Sequence, residues 1–381
     1  MTPDEDILLL QDLLRLKQAG KPFMDKAETR NPVSHYRDPV RFEQEQQAIF
    51  ERLPTMLAHV SELAEPHSFL RRTANGRPLL LTRGETGEIR VFLNVCRHRG
   101  TRLVTDEAGC KRRHSCPYHA WTWDSDGRFV NAPHFETGFP DTTRDELQLA
   151  ALPVVVHRGF VWLLPAGAPP LAEFLTAMDE ELNWADTEKL KVHQQTTQQR
   201  HCNWKLLVEG GLEAYHFRIA HRNSIAPLFQ DNLSSYQCFG PHMRSVLPRA
   251  SLDQLADQPP ETWQLRKHAN VLLNVFPSSS LLVQADHVIW ICMTPLAVDL
   301  SEIRITTLIP ADSDQPASYW DRNHALTVTT LDEDFELGES IQGGLDSGAN
   351  KAMRFGRFEG ALGRFNRIVS QHLNPGAELP G

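Results

Sequence analysis

The sequence predicts an α+β protein: a small antiparallel β domain, then a larger domain that combines an antiparallel sheet with helices. Three observations predict it. From residue 54 to 165 the apolar positions follow the two-residue period of strands. The run AGAPP, Ala166 to Pro170, stops that pattern with small and proline residues. Beyond it, strand-like runs recur at 271–276, 280–284, 287–293 and 302–309, and the stretch 331–373 alternates acidic and apolar positions at helical spacing.

The elements follow in order. Ile7, Leu8, Leu10, Leu13, Leu14 and Leu16 sit close to helical spacing, so residues 4–18 read as a helix. It serves either as an arm for subunit contacts or as a helix packed on its own subunit; the second reading is preferred, against the larger domain. Asn31-Pro32 and Asp38-Pro39 break the pattern, and a second amphipathic segment covers 40–52. Leu79–Thr82 and Ile89–Val95 flank a Gly-containing turn and read as a hairpin. Asp126-Gly127 marks another tight turn, and 154–165 is a last apolar strand. LAEFLTAMDEELNW then begins a helix, and 187–202 reads as a strand. The expected division is 1–39 as an N-terminal helical arm packed with the larger domain, 40–165 as the β domain, and 166–381 as the larger domain.

A chain of 381 residues can bury ample core in two domains, and 41% hydrophobic with 23% charged residues is ordinary for a globular protein. A formal charge of −9 argues against non-specific nucleic-acid binding, which needs a basic face. The acidic N-terminus lacks the basic region of a signal peptide, and no apolar run approaches the roughly 20 residues that span a bilayer. The six cysteines follow no disulfide framework, which suits a reducing compartment; a cytoplasmic enzyme is expected.

Two short pairs carry the first chemistry. Cys96-x-His98 and Cys116-x-x-His119 have seventeen residues between them. Thiolate and imidazole suit zinc or an iron–sulfur cluster. Two loops that each offer one Cys and one His can put both thiolates on one iron and both imidazoles on the other, the Rieske [2Fe–2S] arrangement. A structural zinc site is the plainer alternative. Arg99-Gly100 after the first pair, and Pro117, Tyr118 and Trp121 around the second, favour the cluster.

A second set lies in NWKLLVEGGLEAYHFRIAH, 203–221. Glu213 and His216 are three apart and share a helical face. His221 is five beyond His216, about 140° away on an ideal helix, so both can meet one metal only if the helix ends, kinks or bulges. Two imidazoles and one carboxylate would form the facial triad of a mononuclear Fe(II) oxygenase.

CRHRG and CPYHAW resemble the cluster loops of Rieske non-haem iron oxygenases, the ring-hydroxylating family and its demethylating relatives. The likeness runs from about residue 40 to 373. It implies a small antiparallel-β cluster domain and a helix-grip-like catalytic domain. It implies that Cys96, His98, Cys116 and His119 hold a [2Fe–2S] Rieske cluster. The family's NWK…E…YH…H segment is matched by Asn203, Trp204, Lys205, Glu209, Tyr215, His216 and His221. EDFELGESIQGGLDS, 333–347, matches the segment that supplies the third ligand of the mononuclear Fe(II), which makes it Asp334, with Glu333 and Asp332 in reserve. The resemblance gives Glu213 a bridging role, bonding His216 and His119 of the partner subunit. Most ring hydroxylases carry Asp there; Glu occurs in relatives that oxidise quaternary ammonium compounds. Gly210-Gly211 replaces a common Asn, giving either room for substrate or a kink that helps to place His221.

The resemblance further implies a terminal oxygenase in a homotrimer. With no convincing Gly-rich nucleotide fingerprint, the chain would draw electrons from a separate NAD(P)H reductase of flavin or ferredoxin type. The expected reaction is O2-dependent hydroxylation or oxidative dealkylation of a small, aromatic substrate. The alternative is demethylation or C–N cleavage of a carnitine- or betaine-like quaternary ammonium compound. A cation would want aromatic faces, for which Phe217, Tyr236, Phe239, Phe276 and Trp290 are candidates. A substrate carboxylate would want Arg218, Arg222, Arg244 or His287. A pure electron carrier would need only the β domain.

Overall fold

The computed structural model describes residues 1–374 and 376 and divides into two compact units. One is Glu51–Leu171; the other joins Met1–Phe50 to the chain from Ala172 on. The last residues before 381, expected to close the larger domain, lie outside the described residues.

The smaller unit is built from three antiparallel sheets. Five strands run in the order Ala151–Leu152, Ile89–Leu93, Arg77–Arg83, Ser68–Ala74 and Ala108–Cys110. Thr55–His59, Phe160–Leu163 and Val154–His157 form a second sheet, and Arg113–Ser115, Thr122–Asp124 and Phe129–Asn131 a third. The hairpin expected around residue 85 is present, with Leu79 opposite Leu93. One core, holding Leu57, Leu79, Leu81, Val91 and Val161, fills the space behind the sheets. A second core gathers Phe69, Leu103, Trp121, Trp123, Phe129 and Phe135 with Cys96 and Cys116. Trp123 is wholly buried and donates its indole N–H to the Leu147 carbonyl at 2.7 Å, so its ring is buried with its one polar group satisfied.

The larger unit is organised on seven antiparallel strands in the order Leu190–Arg200, Leu300–Pro310, Val288–Ala297, Ser279–Val283, Ala269–Val275, His242–Pro248 and Ser235–Phe239. The first five match the strand-like runs read from the sequence. The last two do not appear there: His242–Pro248 sets His242, Arg244 and Ser245 among its apolar residues, so neither an alternation nor an apolar run marks it. The thirty-residue helix Ala317–Asp346 packs on Leu190–Arg200 and Leu300–Pro310. The helix Trp204–Gly211 contacts both that helix and Val288–Ala297. The helical stretch expected over 331–373 is two helices. The first ends at Asp346, Ala352–Phe355 pairs with Thr29–Pro32, and Gly360–Leu373 follows.

One expected boundary is corrected. Residues 40–50 were expected in the β domain, but they belong to the larger unit. Pro39–Glu45 is an α-helix that runs into a π-helical turn, Gln46–Phe50. Glu45, wholly buried, accepts from Lys205 Nζ at 2.7 and 2.8 Å and from Trp204 Nε1 at 2.9 Å, and Phe50 packs edge-on against Trp204. Those contacts outweigh sequence proximity to the strands. The N-terminal helix Pro3–Gln18 buries Leu10 and Leu13 and packs near Leu265–His268. Among the described residues no helix is long and apolar enough to cross a membrane.

Candidate metal centres

The two Cys/His loops share one backbone turn. Gly100 N–H donates to Cys96 O at 3.0 Å, and Ala120 N–H to Cys116 O at 3.0 Å. Each cysteine N–H in turn donates to the residue five along: Cys96 to Thr101 O at 2.8 Å, Cys116 to Trp121 O at 2.7 Å. Closing such a turn needs a left-handed residue at the fourth position after the cysteine, and there Gly100 has φ +80° and Ala120 φ +56°. The two loops are thus equal in length and hydrogen bonding, although their Cys-to-His spacings differ by one.

Inside these loops Cys96 and Cys116 are buried, free thiols. Burial first, and then the adjoining Cys116 side chain, push the Cys96 thiol up. The His98 and His119 rings lie 4.8 Å apart. His98 is stacked on Trp121 at 4.6 Å, and its Nδ1 is buried with no hydrogen-bond partner. Two thiols, two imidazoles and an orphaned ring nitrogen on paired turns fit a cluster bound by two cysteines and two histidines.

The second centre depends on where one helix stops. Asn203 caps Trp204–Gly211, its side chain accepting from Lys205 N–H at 3.1 Å. That helix ends at Gly211, and a single turn, Phe217–Ala220, follows. His216 immediately precedes the turn and His221 ends it, donating its N–H to Phe217 O at 3.1 Å. The helix end required by the five-residue spacing is therefore present. A side chain at Gly210 would meet nothing within 4 Å, so the Gly pair leaves room as well as a helix end.

His216, His221 and Asp334 offer ligand atoms that all lie within 4.8 Å of one another. The two Nε2 atoms are 3.2 Å apart, and Asp334 Oδ1 stands 3.3 Å from the first and 3.0 Å from the second. Behind the rings, His216 Nδ1 meets the Glu213 carboxylate, and His221 Nδ1 meets Glu333 Oε2 at 2.7 Å. Ser224 Oγ donates to the same Glu333 oxygen at 2.5 Å. Each imidazole is therefore gripped at one nitrogen by a carboxylate and presents the other, the arrangement that fixes tautomer and basicity in metal-bound histidines. Burial disfavours the His216 cation, but Asp334 and Glu213 outweigh it and raise its pKa to about 10. The same balance raises His221, and it lowers Asp334 despite burial. A site this hungry for positive charge, with two imidazoles and a carboxylate converging, fits a divalent iron ion.

Of the two reserves for the third ligand, Glu333 holds the back of His221, while Asp332 pairs with Arg200 at 2.5 Å. Glu209 is not at the metal position. Its buried carboxylate accepts from Tyr36 Oη and Asn366 Nδ2, both at 2.6 Å. The roles of Glu45, Tyr36, Asn366 and Glu333 were not read from the sequence; only the seating of NWK on a buried partner could have hinted at the first three.

A cleft of about 500 Å³ runs between the sheet and the long helix. Phe217, whose ring lies 5.5 Å from that of His221, forms part of its wall with Leu247, Leu282 and Leu331. Of the five aromatic candidates, Phe217 lines the cleft. Trp290 is buried and lies against Arg304, Phe276 packs on Phe365, Tyr236 donates to Asp25, and Phe239 lies over Arg244. Arg244 is buried against Glu181, and Arg218 is exposed against Asp231. Arg222 is exposed and does not line the cleft. His287 lines it, with Nδ1 held by Asp286 at 2.7 Å.

Comparison with known proteins accounts for both units. Residues 54–153 match the Rieske [2Fe-2S] domain, and residues 187–374 match the ring hydroxylating alpha subunit catalytic domain. The chain is 33% identical over 221 residues to the glycine betaine monooxygenase oxygenase subunit of Pseudomonas aeruginosa UCBPP-PA14, covering 56% of this chain and spanning 51% of that relative. It is 27% identical to the carnitine monooxygenase oxygenase subunit of Acinetobacter pittii, over 90% of this chain and 94% of the relative. Its fold matches a crystal structure of the quaternary ammonium Rieske monooxygenase CntA with a TM-score of 0.80 at 24% identity, over 93% of this chain and 97% of the other. A Rieske [2Fe–2S] domain ahead of a mononuclear-iron catalytic domain places this chain in the family of ring-hydroxylating Rieske oxygenases, as an alpha-type subunit.

Proposed function

We propose that this chain is the terminal oxygenase of a multicomponent system, with Cys96, His98, Cys116 and His119 holding the cluster and His216, His221 and Asp334 holding the iron. The observation that carries the reading is the convergence of two Nε2 atoms and one carboxylate oxygen on a single point, with both Nδ1 atoms fixed from behind. When bound, the cluster supplies electrons and the ferrous ion activates O2. The chain's own residues do the rest. Glu213 and Glu333 fix the two rings with Nδ1 toward the carboxylates and Nε2 aimed at the shared point; Phe217 and the aliphatic side chains give the adjoining cleft its apolar wall.

Glu213 lines, together with His216 and Asp334, a hollow of about 570 Å³ whose rim carries exposed Leu337 and Ile341. An acidic group behind an iron ligand, ringed by exposed apolar side chains, supports a homotrimer in which Glu213 reaches His119 of the partner subunit. Electrons would come from a separate NAD(P)H reductase. Six free cysteines support a reducing, cytoplasmic setting.

For the reaction, the two relatives named above and the Glu at 213 favour oxidation of a quaternary ammonium compound over that of an aromatic ring. The substrates in those relatives' names, glycine betaine and carnitine, are both zwitterions with a carboxylate. Purified protein is expected to hold three irons per chain, two of them in the cluster. His216→Ala is expected to hold two, keep the cluster spectrum and lose turnover with any reductase. Retention of the third iron or of turnover would remove the catalytic assignment.

A further inference from the structure

The cleft has two chemically different ends. Its inner wall is apolar, with Phe217 packed between the imidazoles of His216 and His221 on one side and Leu247 on the other. Beyond Phe217, Asp334 meets both Nε2 atoms while Glu213 and Glu333 hold the two rings from behind at Nδ1, so the groups past the inner end of the cleft are acidic. Arg249 lies two residues beyond Leu247, about 7 Å further along the same extended segment. Its guanidinium is half-buried in the cleft wall and donates Nε and Nη2 to the Asn270 side-chain oxygen at 2.9 and 2.6 Å. No carboxylate comes within 4.0 Å of it among the described residues. Asp286, the acid nearest in the cleft, has one oxygen on His287 Nδ1 and the other on the Tyr319 hydroxyl at 2.6 Å. Lys267 adds a second cation at the same end.

A guanidinium is costly to bury without an anion. Here one edge is fixed by a neutral amide, which orients the rest of the fork, and a planar fork matches a carboxylate. We propose that Arg249 binds the carboxylate of the substrate and so decides which end of it meets the iron. The proposal rests on the oxygenase reading above and deepens it. A zwitterion would lie along the cleft, its cationic or apolar end against Phe217 and the acidic inner end, its carboxylate on Arg249. Arg249 is then a specificity-determining residue.

The test is binding to the iron-loaded protein without O2, by calorimetry. The probes are L-carnitine against its methyl ester, and 3-phenylpropanoate against 3-phenylpropanamide. A charge-assisted fork predicts that the carboxylate of the preferred pair binds about tenfold to a hundredfold more tightly than its neutral partner. Arg249→Met should erase that preference, Arg249→Lys should keep part of it, and the cluster spectrum should be unchanged in both. The pair that shows the effect identifies the source as quaternary ammonium or aromatic. Equal binding of acid and neutral analogue, an Arg249→Met loss shared equally by both, or no binding of either acid overturns the proposal. The outcome is separable from the reaction: a preference abolished by Arg249→Met with no O2 uptake would retain the anchor and remove the oxygenase reading. Turnover indifferent to Arg249 would do the reverse.

Discussion

The two candidate metal centres reach their geometry by opposite means. The Cys/His loops place all four side chains within 24 consecutive residues, and two copies of one backbone turn do the placing. The His/His/Asp set draws on residues more than a hundred apart. Its positions depend on buried polar contacts: Lys205 and Trp204 on Glu45, Asn203 on Tyr36 O and Val298 O, Glu209 on Tyr36 and Asn366. Local hydrogen bonds make the first centre indifferent to distant substitutions. The second inherits every weakness of its scaffold.

The largest break in that symmetry is expected from Lys205→Met. It leaves the Glu45 carboxylate in the core without its closest cation, a loss of about 3–5 kcal/mol. Thermal unfolding should fall and the mononuclear iron should leak, while the cluster spectrum persists. Adding Glu45→Leu should restore most of the loss.

Glu209→Gln sharpens the contrast through pH. Burial pushes the Glu209 carboxyl up to about 7, against hydrogen bonds from Tyr36 and Asn366 that favour its ionised form. A folded-state value above the unfolded one means that this group's contribution is full below about 4.5 and is lost as pH rises through 7. Wild type and variant should therefore unfold alike near pH 5. By pH 8 the variant should be more stable by up to about 3 kcal/mol. Urea titrations at the two pH values check this.

Next in size is Glu333→Gln, which weakens the grip on His221 without touching a ligand. A loss of about tenfold to a hundredfold in iron affinity is expected, measured by competition with a chelator. The smallest effect is on the loops. Gly100→Ala should cost about 1–2 kcal/mol and Ala120→Gly should relieve a similar strain, so their melting shifts should have opposite signs. Equal signs would mean that the turns are not equivalent.

Legibility followed the same division. The loops could be read because their chemistry is contiguous. The last ligand required the resemblance, since Asp332, Glu333 and Asp334 are three neighbouring acids that only the tertiary fold tells apart: one pairs with Arg200, one holds His221, one meets both Nε2 atoms. Strands that alternate or run continuously apolar were visible, the wholly buried Ala269–Val275 among them; His242–Pro248, which buries His242, Arg244 and Ser245 among apolar residues, was not. The start of the long helix was hidden because Pro316 provides no side-chain cap. Arg249 escaped notice because Pro248 and Ala250 flank it with nothing that marks a cleft. Nothing within the amphipathic segment 40–52 marked Glu45, yet it is wholly buried.

Thr29–Pro32 finds its strand partner only at Ala352–Phe355, and Asn31 donates to Asn366 at 2.8 Å. On a ribosome adding about 5–20 residues per second, those partners emerge roughly 15–60 s after the opening segment. Within that interval Phe50 waits for Trp204, and Leu10 and Leu13 wait for the segment Leu265–His268, whereas Glu51–Leu171 has its complete set of strands once Leu171 has emerged. A nascent chain must keep residues 1–50 out of wrong associations until those later segments emerge, which makes its yield sensitive to elongation rate and to chaperones that shield this stretch.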